Sequence, residues 1–165
     1  MVRIPPANLK IVDEAEICYL VAVMPEKLNI LLVDDNAEHL TLTQHILKRN
    51  GVPGEVFIVR DGQEAIDFLY GRDRYAGGDK NPRPHLVLLD LNIPRIDGKE
   101  VLRIMKEDAH LKDIPVVVVS SSNRQEDIAY AKELGASAYI SKSAGFEKLS
   151  QELASIHRFA FHQDH

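Results

Sequence analysis

Short runs of aliphatic and β-branched residues alternate through most of this chain with longer stretches whose apolar positions recur at helical spacing. Leu28–Val33, Glu55–Val59, Leu86–Leu89, Val116–Val119 and Ala138–Ile140 are nearly continuous in apolar character. Such runs mark strands of a parallel sheet that is buried on both faces. Between them lie amphipathic segments with their own start and stop signals. One begins after Asn36, a suitable N-cap, turns Leu40, Ile46 and Leu47 inward and ends at Asn50-Gly51. A second, Asp61 to Tyr70, places Ala65, Ile66 and Leu69 on one side, and a third, Asp97 to about Asp108, groups Val101, Leu102 and Met105. A fourth, Gln125 to Leu134, stops at Gly135, where a left-handed residue is wanted. The last runs from Phe146 through Leu149, Leu153 and Ile156. Five strands alternating with five helices predict a doubly wound α/β sheet, because parallel neighbours need right-handed helical crossovers.

The residues that could carry chemistry stand at strand ends. In an open α/β sheet a ligand binds beyond the carboxyl ends of the strands. The first strand ends in Asp34-Asp35, the third in Asp90 and the fourth in Ser120, while the fifth runs into Lys142. Ionised carboxylates crowded together repel unless a cation sits among them. An oxygen-only donor set suits a hard divalent ion, so this edge is a candidate Mg²⁺ site. The point charge of Lys142 suits a phosphoryl group. Each of these residues has a plainer reading in isolation: Asp34-Asp35 as a helix cap, Lys142 as a surface lysine, Ser120 to Ser122 as a loop opening, and Tyr139 as a packed edge-strand aromatic.

Composition narrows the functional classes. The 165 residues carry 20 Lys and Arg against 25 Asp and Glu, a net charge of −5, with 45% hydrophobic residues. That describes one ordinary globular domain long enough to bury a core without staples. The acidic balance and the absence of a basic block argue against binding nucleic acid through phosphate contacts. The single cysteine, Cys18, forbids an internal disulfide and favours a reducing, cytoplasmic setting. The longest strongly apolar run, Ile17 to Met24, is too short to span a membrane. His157, His162 and His165 near the end match no tight metal-ligand spacing and are expected to form a polar tail.

Taken in order, Asp34-Asp35, Asp90 followed by Asn92, Pro94, Asp97 and Gly98, then Ser120 and Lys142 resemble the receiver domains of two-component response regulators over about Leu28 to Arg158. The wording from Leu89 to Leu102, with the long Gly71 to Pro84 connection, is most similar to single-domain regulators that partner phytochrome-type sensor kinases. The resemblance implies a flavodoxin-like (βα)5 fold with strand order 2-1-3-4-5. It implies that Asp90 accepts a phosphoryl group from a histidine kinase, that Asp34, Asp35, Asp90 and the Asn92 backbone carbonyl hold Mg²⁺, and that Ser120 and Lys142 bind phosphoryl oxygens. It also implies a switch in which Ser120 moves toward the phosphate and Tyr139 turns into the vacated space, reshaping the face of helix 4, strand 5 and helix 5. Asn92 and Ser122 occupy positions that tune dephosphorylation in this family.

Two features depart from that pattern. The family follows its lysine with proline in a cis peptide, whereas this chain has Ser143; a non-proline cis bond costs about 2.5–4 kcal/mol, so Lys142–Ser143 is expected to be trans with an altered path into the last helix. Residues 1–27 are surplus to the pattern and are set apart as an extension, with Met24 as an alternative start; residues 28–160 form the receiver unit and 161–165 a tail. With no room left for an output domain, the expected function is a signalling module rather than an enzyme, acting by docking or as a homodimer. Two rivals remain. A phosphatase with an aspartate nucleophile would carry a second Asp two positions on, where this chain has Asn92. A receiver-like scaffold that accepts no phosphate draws its support from Ser143.

Overall fold

The computed structural model describes residues 28–52, 54–78 and 81–161, together with Ala15. The expectations for the rest of the 1–27 extension and for His162 and His165 lie outside the described residues. Five strands, β1 (Asn29–Val33), β2 (Glu55–Val59), β3 (Leu86–Leu89), β4 (Val116–Ser120) and β5 (Ala138–Ser141), alternate with helices α1 (Ala37–Arg49), α2 (Gly62–Tyr70), α3 (Gly98–Glu107), α4 (Gln125–Glu133) and α5 (Phe146–Ala154). A short α6 (His157–Phe161) follows. The strands form one parallel sheet in the order β2-β1-β3-β4-β5, as the resemblance implied.

The near-continuous apolar strands are explained by cover on both faces. Successive side chains point to opposite sides of a strand. Leu31 and Val33, Val87 and Leu89, and Val116 and Val118 pack with Ala65, Phe68, Val101, Leu102, Met105 and Ala131 from α2, α3 and α4. Ile30 and Leu32, Leu86 and Leu88, and Val117 and Val119 pack with Leu40, Ile46, Leu47, Leu149 and Leu153 from α1 and α5. Neither face can be spared to water, which fixes the register and aligns all the strand C-termini on one edge.

Local signals set the helix starts. Asn36 accepts a hydrogen bond from the His39 N–H at 3.1 Å, Asp61 from Glu64 at 2.7 Å, and Asp97 from Lys99 at 2.7 Å. Gly135, just beyond α4, has φ +96°, the backbone its position demanded.

Two details differ from the sequence reading. On α2 Ala65 and Ile66 are buried and Leu69 packs half-buried against the same layer, as the spacing placed them, but Phe68, which the spacing did not single out, is buried too, with Tyr75 edge-on to its ring at 5.0 Å. The last helix stops at Ala154 instead of continuing through Ile156. The Ser155 hydroxyl donates to the Glu152 carbonyl at 3.1 Å, a local alternative to the helical ladder. Ile156, in the link after α5, and Ala160, on α6, still reach the α1/α5 layer.

Gly98 lies so close to the loop after β3 that a Cβ there would stand 2.3 Å from the Asp90 carbonyl oxygen and 2.5 Å from the Leu91 Cα. Gly98→Ala is expected to lower stability by about 1–3 kcal/mol through overpacking. Leu88→Ala, which empties the centre of the sheet, is expected to cost about 2–5 kcal/mol. Urea unfolding of both variants against the parent protein measures each effect.

Candidate functional site

The strand order brings β1 and β3 side by side, so Asp34 and Asp90 lie next to each other at the carboxyl edge; both are buried, at 2% and 6% exposure. Each carboxylate is anchored by its own turn. Asp34 Oδ1 accepts from the Asn36 N–H and Asp90 Oδ1 from the Asn92 N–H, both at 3.0 Å. These contacts leave the second oxygen of each facing the other. Between them stands the Lys142 ammonium, delivered by β5, with Nζ 2.5 Å from Asp34 Oδ2 and 2.8 Å from Asp90 Oδ2. A buried charge is tolerated only when paired and hydrogen-bonded. Here one cation serves two carboxylates, and the cluster keeps a net negative charge.

Lys142 reaches this position through a trans peptide to Ser143; no peptide bond among the described residues is cis. The chain then makes a 3-10 turn, Lys142–Ala144, in which Ser141 Oγ accepts from the Ser143 N–H at 3.3 Å. The substitution of serine for the family's proline is thus accommodated in the path toward α5 and leaves the lysine within reach of both carboxylates.

The other expected residues are distributed unevenly. Asp35 is exposed, and its carboxylate makes no hydrogen bond or ion pair among the described residues. Asn92 is also exposed and joins the cluster through its backbone. Ser120 is fully buried at the end of β4, where its Oγ accepts from the Ser122 N–H at 3.3 Å. Tyr139 pairs with Val118 in the β4–β5 register, so its ring shares the sheet face of Val118 and Ser120. The ring packs against the α2/α3/α4 layer, and its hydroxyl donates to the Ser122 carbonyl at 2.8 Å.

Two groups were missed in the sequence. His39, in the first turn of α1, places Nδ1 3.0 Å from Lys142 Nζ and 3.9 Å from Asp34 Oδ2. Its position one turn beyond Asp34-Asp35 was the available signal. Asp127, on the first turn of α4, is 2% exposed and pairs with Lys99 at 2.6 Å, with Arg124 at 3.1 Å, and with the Ser122 hydroxyl. Hydrogen bonds from Lys99, then Ser122 and Arg124, outweigh burial and hold its carboxyl at about 2.

The donors at this edge fit a divalent cation. Ligand atoms of Asp34, His39 and Asp90 all lie within 4.8 Å of one another, and exposed Asp35 stands at the rim. Carboxylate oxygens suit Mg²⁺ or Mn²⁺, and the imidazole adds a donor acceptable to transition ions.

Comparisons with known proteins agree with this geometry. Residues 30–154 match the family described as "Response regulator receiver domain". The chain is 39% identical over 130 residues to "Response regulator Rcp1" of Synechocystis, covering 79% of this chain and 86% of that protein. Its fold is similar to the crystal structure of the phosphorylated cyanobacterial phytochrome response regulator RcpA, with TM-score 0.73, 42% identity, and coverage of 84% of this chain and 97% of that one. It is also similar to the Mn²⁺-bound form of Rcp1, with TM-score 0.72, 38% identity, and coverage of 82% and 94%. The chain belongs to the response regulator receiver domain family of two-component systems and, within it, is similar to the phytochrome response regulators.

Proposed function

We propose that this chain is a single-domain response regulator that takes a phosphoryl group from a sensor histidine kinase onto Asp90. The observation that carries the proposal is the Lys142 ammonium held between the buried carboxylates of Asp34 and Asp90. In the transfer, an Asp90 carboxylate oxygen attacks phosphorus, the bond from phosphorus to the kinase imidazole breaks, and the imidazole leaves with the bonding electrons. The Asn92 N–H keeps the carboxylate oriented during attack. Lys142 passes from carboxylate to phosphoryl oxygen, where its charge meets the charge that develops. Asp34, Asp35, Asp90 and the Asn92 carbonyl would hold Mg²⁺, which supplies charge neutralisation at the phosphoryl oxygens when bound. The assembled cluster favours this reading over a scaffold that accepts no phosphate, and an exposed amide at Asn92 favours it over an aspartate-nucleophile phosphatase.

The output belongs to the face of α4, β5 and α5. A phosphoryl group adds about −2 charge and acceptor oxygens. It draws the Ser120 hydroxyl away from the Ser122 N–H and rebalances the loop to which Tyr139 is bonded. Phe146, the first residue of α5, is a large hydrophobic residue left 45% exposed and gives this face an apolar component for a second copy of the chain.

Incubation with acetyl phosphate and Mg²⁺ is expected to give a single phosphoryl adduct by intact mass, absent in Asp90→Ala and in a chelator control. No adduct from either acetyl phosphate or a phosphorylated kinase, with fold and Mg²⁺ binding intact, would overturn the assignment. Phosphorylated protein is expected to sediment as a dimer, and an unchanged monomer mass in both states rules out the homodimer.

A further inference from the structure

The loop between β4 and α4 is held by one residue whose four polar contacts run in different directions. The Ser122 N–H donates to Ser120 Oγ, its carbonyl accepts from the Tyr139 hydroxyl, its Oγ accepts from the Arg124 N–H at 3.3 Å, and its own hydroxyl donates to Asp127. Arg124, the N-cap residue of α4, makes no side-chain capping bond, and its own N–H is taken up by Ser122 Oγ. Asp127 is in turn fixed by two cations. Lys99 Nζ comes from the first turn of α3 and also lies 5.6 Å from the centre of the Tyr130 ring. Arg124 Nε comes from the loop itself.

Lys99 directly follows Gly98, whose N–H donates to the Leu91 carbonyl at 3.0 Å immediately after Asp90. One continuous set of bonds therefore joins the segment after Asp90 to the pair Ser120 and Tyr139. We infer that Asp127 is a positioning residue for the β4–α4 loop: bridging Lys99 and Ser122, it fixes at once the acceptor that Ser120 offers to Ser122 and the carbonyl that Tyr139 binds. The inference rests on the proposed switch roles of Ser120 and Tyr139. It adds that the loop is set in its Tyr139-bonded arrangement before any phosphoryl group arrives, and that α3 and α4 move as partners when it changes.

Hydrogen exchange resolved to single amides, read beside fluorine NMR of 3-fluorotyrosine-labelled protein, tests it; the Tyr139 signal is assigned by its loss in Tyr139→Phe. In unphosphorylated Asp127→Asn, an isosteric change, exchange at Ser122 and Arg124 is expected to accelerate roughly tenfold, the scale of one lost charge-assisted hydrogen bond. The Tyr139 signal is expected to move toward that of an exposed tyrosine. Lys99→Met should show the same changes and Lys99→Arg should restore the parent behaviour, with amides of β1 and β3 unaffected throughout. Because Lys99 is 36% exposed, its variants answer the question even if Asp127→Asn folds poorly. Parent-like exchange and an unmoved Tyr139 signal in Lys99→Met overturn the inference, as does acceleration spread evenly over the sheet. Should these variants respond while phosphorylation of the parent protein leaves Tyr139 unmoved, the positioning role stands and the switch reading fails.

Discussion

Burying two carboxylates side by side is the constraint around which the carboxyl edge of this sheet is organised. Asp34 and Asp90 end adjacent strands and lie largely out of water, so their charges have to be met from within the protein. The Asn36 and Asn92 N–H groups satisfy one oxygen of each. Lys142 satisfies the other two from β5, which is separated from β3 by β4. Removing Lys142 from this arrangement costs about 3–5 kcal/mol, because both buried carboxylates then lose their counter-charge. Under the proposed function, this ammonium, hydrogen-bonded to both carboxylates, would turn to an incoming group that carries more negative charge.

The fold turns this local need into a position for signalling. Covering the sheet on both faces aligns the strand ends, and β4 places Ser120 beside the β5 face that carries Tyr139. Neither residue is bonded to Asp90; both meet at Ser122. Under the proposed function, Ser122 would be the point where a change of charge at Asp90 becomes a change of shape at α4 and β5. The Asp127 cluster beside it joins the start of α3 to α4 by charge-assisted hydrogen bonds, which are stronger than the neutral ones around them.

Much of this was legible in the sequence for definite reasons. Unbroken aliphatic runs identified the strands, and Asn36, Asp61 and Asp97 marked helix starts because capping is a local property of a few residues. Asp34, Asp90, Ser120 and Lys142 were readable from their places at strand ends. What escaped depends on contacts between distant segments. The burial of Phe68 depends on Tyr75, which folds back and sets its ring edge-on to it. His39 reads as an ordinary residue of a polar helix turn until Lys142 arrives beside it. Asp127 looks like a helix-start acid, and only the approach of Lys99 from α3 makes it a buried partner. Ser155 ended the last helix by a hydrogen bond within its own turn, a competition that hydrophobic spacing does not register.

Under the proposed function, the Lys142 ammonium that holds Asp34 and Asp90 together is also the group that meets the phosphoryl oxygens. NMR of the lysine ammonium resonances tests it most directly, with the Lys142 signal assigned by its loss in Lys142→Gln. A protected, slowly exchanging Lys142 ammonium is expected in the unphosphorylated protein, with a change in its shift when Asp90 is phosphorylated. A Lys142 signal that exchanges like a surface lysine, or one that stays unchanged in the phosphorylated protein, would contradict it.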